Sequence, residues 1–523
     1  SASTGGVQGF SSSSDCALQV CVVGSGPAGF YAAQHVLKLQ KSAIVDVYEK
    51  LPVPFGLVRF GVAPDHPEVK NVINSFTQTM HHGRCSFYGN ITVGKDISVE
   101  ELKQAYHVVI LAYGAQDNLM LEIPGESLHG VYSARSIVEW YNGVPGIQNL
   151  NPDLSCETAV ILGQGNVALD VARILISPID LLKKTDITSY SLEAIAASKV
   201  KRVLIVGRRG PLQVAFTIKE LREMVNLPGA RPLFNPSDFE GLREIIKDKP
   251  RPRKRLTELM VKTALEKPSA KEAKRQEEAA KEWGLRFLRS PVQILPTSDG
   301  KHVAGIRLSV NKLEGSGESL RSIQTEELED VECGLVLSSI GYKSHPISSS
   351  FPFDNKKRVI PNHLGRVLNT PGLYCSGWVK RGPTGVILTT MNDSFETAES
   401  VVKDVKSGSL NLSVPKAGFS AVQALLQQRG VCLVSFPGWE KINEAELAKG
   451  AKLGKSREKL SNVEEMLNCV CCYPNFKPST LVTVCAPTVE HKLRPWLTVS
   501  FRKWMQAPQL IHFRIFDTLS ITH

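Results

Sequence analysis

Cysteine is scarce in this chain, and so is sustained hydrophobicity. Eleven cysteines in 523 residues are an odd number and too few for a disulfide scaffold. Seven lie singly between Cys16 and Cys432; the others, Cys469, Cys471, Cys472 and Cys485, fall in the last 55 residues. No C-x2-C pairs with a second one, so no structural zinc or other metal centre is expected. No dithiol sits beside a nucleotide-binding turn, which disfavours a sulfur relay. No apolar run reaches the ~18 residues of a membrane-spanning helix. Arginine is missing from the Ser/Gly-rich residues 1–14, whereas a mitochondrial presequence is Arg-rich; these residues leave the cellular address open. Hydrophobic content of 42% and charged content of 22% exclude disordered, collagenous and coiled-coil chains. At ~150 residues per domain, two to four domains are expected. Lysine and arginine number 62 against 51 Asp and Glu, a formal charge of +11. Such an excess admits an acidic protein, a nucleic acid or an anionic lipid as partner.

Leu18 to Val23 reads as a buried strand, followed at once by Gly24-Ser-Gly-Pro-Ala-Gly29, a helical stretch to Leu39 and a second strand, Ile44 to Tyr48, ending at Glu49. Gly24 permits the tight turn, Gly26 lets the backbone approach a pyrophosphate, and Gly29 lets the helix pack on the strand. The helix N-terminus supplies amide donors, and an acid at the end of the second strand can hold ribose hydroxyls. A dinucleotide site is the reading that uses all of these residues.

Thr158 to Leu162 begins a second such unit, with Gly163-Gln-Gly-Asn-Val-Ala168 opening a helix through Leu175. Its next strand, Val200 to Val206, ends in Gly207-Arg208-Arg209-Gly210 instead of an acid. A carboxylate there would repel a 2′-phosphate, whereas Arg pairs with it bidentately. Two charge-assisted bonds imply about 10²–10⁴-fold preference for NADP over NAD. Two sites of opposite charge preference point to FAD in the first and NADPH in the second.

Val108 to Ala115 and Leu335 to Tyr342 each read as a strand ending in a small-residue turn, as at two crossings between a flavin domain and an inserted nucleotide domain. With Pro54-Phe-Gly-Leu-Val-Arg-Phe-Gly-Val-Ala-Pro-Asp-His-Pro67, Gly163 to Asp170, Gly207 to Gln213 and Gly377-Trp-Val-Lys-Arg-Gly-Pro-Thr-Gly385, the chain resembles the adrenodoxin-reductase family, the mitochondrial ferredoxin–NADP reductases. The likeness runs from about Leu18 to Leu467. It implies an α/β, glutathione-reductase-like flavoprotein with two Rossmann-like domains. FAD would be bound by residues 16–117 and 343–468, NADP by an inserted domain at 118–342, with a leader at 1–15 and an atypical extension at 469–523.

Carried onto this sequence, the resemblance adds Ala28, Leu57, Val93, Trp378, Gly385, Val386 and Ile387 to Gly24, Gly26, Gly29 and Glu49 as FAD contacts. NADP(H) contacts would be Gln164, Gly165, Asn166, Val167, Arg208, Arg209, Glu220 and Gly385. Trp378 stands where related flavoproteins usually carry an Asp, which argues against a generic disulfide reductase. His66, in a Pro-bounded loop, and Asp170, near the start of the NADP helix, are expected to approach each other and couple protons to flavin reduction. The cycle implied passes hydride from NADPH to flavin and single electrons to an acidic [2Fe–2S] ferredoxin (adrenodoxin) that feeds mitochondrial cytochromes P450 in steroid metabolism.

Residues 201–289 hold 22 Lys and Arg against 12 Asp and Glu, and an acidic ferredoxin calls for a basic face. By resemblance Arg222, Arg251, Arg255 and Lys38 are the docking residues; the mixed-sign run Lys271 to Glu278 reads as a solvated helix face. Nucleic acid is not needed to explain the charge. The resemblance implies a monomer in the mitochondrial matrix, at most peripheral to the inner membrane. The tail from Cys469 leaves the family pattern and is expected to be an appendage without a catalytic role. Rival readings are a glutamate-synthase-type or dithiol-linked reductase, which lacks its cysteines here, and a module that holds NADPH without turnover.

Overall fold

The computed structural model describes residues 17–316 and 319–470. The leader at 1–15 and all of the extension beyond Val470 lie outside the described residues; Cys469 and Val470 finish the helix Val463–Val470. Two sheets organise the chain. The larger has eight strands, with a parallel centre in the order Leu373–Cys375, Val108–Leu111, Gln19–Val23, Ile44–Tyr48 and Cys85–Gly89. Short antiparallel strands close both edges. The smaller has six strands, all parallel, ordered Val131–Ser133, Leu335–Ser338, Thr158–Leu162, Arg202–Val206, Lys281–Arg286 and Ala230–Leu233.

Local sequence explains the parallel centres. Val108–Leu111 is Val-Val-Ile-Leu and is buried throughout, as a strand covered by helices on both faces must be. Val23 and Leu162 end their strands buried, and each gives way to a turn that needs glycine: Gly24 has φ +108° and Gly163 has φ +126°. The helices Pro27–Leu39 and Asn166–Ile176 follow these turns.

The chain passes between sheets twice, and the two passages meet. Asp117–Asn118 and Tyr342–Lys343 pair antiparallel, Asn118 opposite Tyr342. The run Lys281 to Glu332 supplies an element that the sequence does not announce, a three-stranded antiparallel sheet of Arg289–Pro296, Val303–Glu314 and Arg321–Glu332. Its outer strand is exposed or half-buried along its whole length, so it carries no apolar alternation to read. The helix Ala270–Glu277 has no buried residue.

Near the chain's described end, a buried ion network joins both halves. Glu446 is fully buried and takes Arg59 at 2.5 Å, Arg457 at 2.8 Å and the Leu460 amide at 2.9 Å. Asp186 takes Lys70 at 2.7 Å and Lys459 at 2.8 Å. Burial raises the cost of the Asp186 charge, but these two ammonium groups hold its carboxyl far below the usual range. The burial of Lys459 pulls that group down to about 7.

Candidate functional site

The first glycine turn is closed where packing needs it and open where a ligand needs it. A Cβ on Gly29 would lie 1.9 Å from the Gly24 carbonyl oxygen, and one on Gly24 would lie 2.5 Å from the Ala112 oxygen. A Cβ on Gly26 would meet nothing within 4 Å, and the helix that Gly26 opens has no side-chain cap. Free amides at an open glycine fit an anion. Glu49 is half-buried; its Oε2 accepts from the Ser25 amide at 3.0 Å and the Ser25 hydroxyl at 2.7 Å, and its Oε1 from the Leu51 amide.

Distant segments come to this turn by close backbone approach. A Cβ on Gly56 would lie 3.0 Å from Gly26 Cα, which brings exposed Leu57 beside the turn. A Cβ on Gly377, at φ +73°, would lie 2.5 Å from Ala28 Cβ, which brings Trp378 there too. Trp378 stacks on Tyr342 of the crossing ribbon, with ring centroids 5.7 Å apart. Gly385 has φ +83°, and Val386 caps the helix Ile387–Lys406 without a side-chain bond. That helix lies on Pro27–Leu39, where Phe395 stacks on His35 at 4.2 Å. Two uncapped helix ends and the apolar surfaces of Leu57 and Val386 form a cradle fitted to a flavin dinucleotide. Val93 is buried and belongs to the neighbouring core layer.

The second turn repeats the design with a different ending. A Cβ on Gly163 would lie 2.2 Å from the Ser339 oxygen, while one on Gly165 would meet nothing within 4 Å. The Gln164 carbonyl accepts from the amides of Ala215 and Phe216, and Asn166 Oδ1 accepts from the Thr217 amide at 2.9 Å. These bonds lay the loop after Arg208 and Arg209 across the turn. Both arginines are exposed, and among the described residues neither guanidinium pairs with a carboxylate. Glu220, on the helix Ile218–Val225, bonds the Thr217 hydroxyl. Val167 is half-buried in the first helical turn.

Between the turns lies an ionic cluster of which the sequence revealed two members. Asp170 and His66 are both in it, but they do not hydrogen-bond each other. His66 Nε2 lies 2.7 Å from Glu223 Oε2, while Asp170 lies 2.9 Å from Arg173. The reason is Arg173, only 3% exposed, whose Nε and Nη2 grip Asp65 at 2.5 and 2.9 Å and draw Asp170 toward the same guanidinium. Burial opposes charge on His66, but Glu223 outweighs it and raises the imidazole pKa. Burial raises Asp170, and Arg173 and His66 offset this only in part. The i,i+3 spacing of Asp170 and Arg173 on one helix was the available signal for Arg173; Asp65 and Glu223 had none. Lys38, Arg222, Arg251 and Arg255 are all exposed. Among the described residues no cluster of His, Cys, Asp or Glu is arranged for a metal, and no helix is long and apolar enough to cross a membrane.

The family model of pyridine nucleotide-disulphide oxidoreductases matches residues 18–225. The NADPH:adrenodoxin oxidoreductase of Salvelinus fontinalis is 62% identical over 463 residues, covering 88% of this chain and 93% of that protein. Its human counterpart is 64% identical over 449 residues, covering 86% and 91%. The chain belongs to the NADPH:adrenodoxin oxidoreductase family. Both of these relatives carry the word mitochondrial in their names. The structure of Mycobacterium tuberculosis FprA in complex with NADPH superposes with a TM-score of 0.80 at 38% identity, covering 87% of this chain and 99% of that one. The flavoprotein oxidoreductase fold of the family is therefore the fold of this chain, with two Rossmann-like units.

Proposed function

We propose that this family member takes hydride from NADPH on FAD and delivers electrons singly to adrenodoxin, an acidic [2Fe–2S] ferredoxin serving mitochondrial cytochromes P450. We place it as a monomer in the matrix, peripheral to the inner membrane. One observation carries the reading: two open glycine turns, one ending in an acid and one in two arginines that pair with no carboxylate among the described residues, are pinned together by Arg173–Asp65. When bound, the flavin supplies the exchange between two-electron and one-electron chemistry.

The chain's own residues do the rest. Arg208 and Arg209 hold the 2′-phosphate, and the uncapped helix behind Gly165, with Gln164 to Val167, receives the pyrophosphate. Glu49, already oriented by Ser25, faces a ribose. Trp378, backed by Tyr342, stands beside the first glycine turn. His66, whose pKa Glu223 raises, and Asp170, whose pKa burial raises, are the groups between the two turns suited to exchange a proton. Arg222, Arg251, Arg255 and Lys38 offer exposed positive charge to the ferredoxin.

The test is sequential. Purified protein should carry a yellow flavin spectrum that NADPH bleaches, and then support cytochrome c reduction only when ferredoxin is added. Bleaching without ferredoxin-dependent turnover would leave an NADPH-binding flavoprotein with another acceptor. Reversing Arg251 and Arg255 to Glu should weaken ferredoxin reduction while sparing small acceptors; equal losses in both would remove the docking role.

A further inference from the structure

Several cations around the second turn are matched. Arg202 and Arg231 share Glu282, Lys219 takes Glu68, Arg243 takes Glu266 and Lys247 takes Glu244. Arg253 is different. It lies in the first turn of the helix Arg251–Leu265 and is half-buried, yet among the described residues no carboxylate pairs with it. Burial and the nearby Arg209 both lower its pKa. A partly desolvated guanidinium facing another guanidinium is an unfavourable arrangement unless an anion joins them.

Its geometry fits that role. Arg253 Nη1 donates to the Val214 carbonyl at 2.8 Å, which fixes the fork against the loop that follows Arg208-Arg209-Gly210. That same loop is held to the glycine turn through Gln164. No other donor of the guanidinium is used among the described residues, out of the five that arginine carries. We propose that Arg253 is a third cation for the 2′-phosphate of the nicotinamide nucleotide, reaching it from the helix that also bears Arg251 and Arg255. This rests on the assignment of Arg208 and Arg209 to the same phosphate. Discrimination against a nucleotide without that phosphate would then depend on a residue outside the fingerprint.

The experiment titrates 2′,5′-ADP and 5′-AMP against the flavin-loaded protein and follows the visible spectrum. Arg253→Gln should weaken 2′,5′-ADP about tenfold or more and leave 5′-AMP within about twofold. Arg253→Lys, which keeps the charge, should retain most of the discrimination. Unchanged 2′,5′-ADP binding in Arg253→Gln would overturn the proposal, as would equal weakening of both ligands, which would make Arg253 a brace for the loop. Arg208→Gln and Arg209→Gln separate the two readings. If they abolish discrimination and Arg253→Gln does not, only the third cation is lost; if they too change nothing, the nucleotide assignment falls with it.

Discussion

The two glycine turns are the same device built to different tolerances. In the first, the third small residue is Gly29, and a methyl group there would penetrate the Gly24 carbonyl at 1.9 Å. In the second, that position is Ala168, fully buried without strain. The first turn ends at a carboxylate already engaged by its own backbone, the second at two guanidinium groups that pair with no carboxylate among the described residues. Helix-to-strand spacing and charge thus vary independently on one scaffold: spacing follows from one Cβ, ligand preference from the residue at the end of the next strand.

The largest expected effect breaks the spacing half of this contrast. Gly29→Ala should give protein without bound flavin, or no soluble protein, while Ala168→Gly should keep both cofactors and lose only about 1 kcal/mol in a thermal melt. Equal tolerance at the two positions would erase the distinction. Next comes the charge half: the double change of Arg208 and Arg209 to Gln should cost about 10²–10⁴-fold in kcat/KM for NADPH and little for NADH. A matching loss with NADH would mean that these arginines hold the fold and not the phosphate.

A third change asks what ties the distant segments of the first region to one another. Glu446→Ala leaves Arg59 buried without its carboxylate partner and should destabilise the protein by about 3–5 kcal/mol in denaturant unfolding. A negligible change would show the network to be redundant. The smallest effect lies in the cluster between the turns. Glu223 raises the His66 pKa, so their pairing is intact below about pH 6.5 and fades as pH rises through the raised value. In Glu223→Gln burial dominates, and the pH midpoint of NADPH-driven flavin reduction should move to lower pH. An unmoved midpoint would detach His66 from the reaction.

What could be read in the sequence was what is local. Gly24 to Gly29, Gly163 to Ala168 and the Arg208–Arg209 pair each sit within a strand–turn–helix, where a few adjacent residues carry the constraint. Asp65, Arg173, Glu223 and Arg253 were missed as functional residues because their partners are remote: Arg173 meets Asp65 across more than a hundred residues, and no spacing rule reaches that far. The outer antiparallel strand Arg321–Glu332 escaped for a different reason, since both of its faces are wet and its few apolar residues, Ile323, Leu328 and Val331, do not alternate. His66 and Asp170, expected to approach each other, lie in one cluster, where each bonds a residue the sequence did not suggest, Glu223 and Arg173.

The short ribbon between the sheets has a consequence for assembly. Leu373–Cys375 must find Val108–Leu111 across the whole inserted stretch, a distant pairing that ordinarily slows folding. Because Asn118 and Tyr342 stand side by side, the inserted stretch, once folded, presents its two ends together and acts in the larger sheet as if it were a hairpin loop. The same juxtaposition marks where the chain could be cut and rejoined. A two- to five-residue connection between Asn118 and Tyr342 would remove the second nucleotide unit and leave the parallel order of the first sheet's central strands intact.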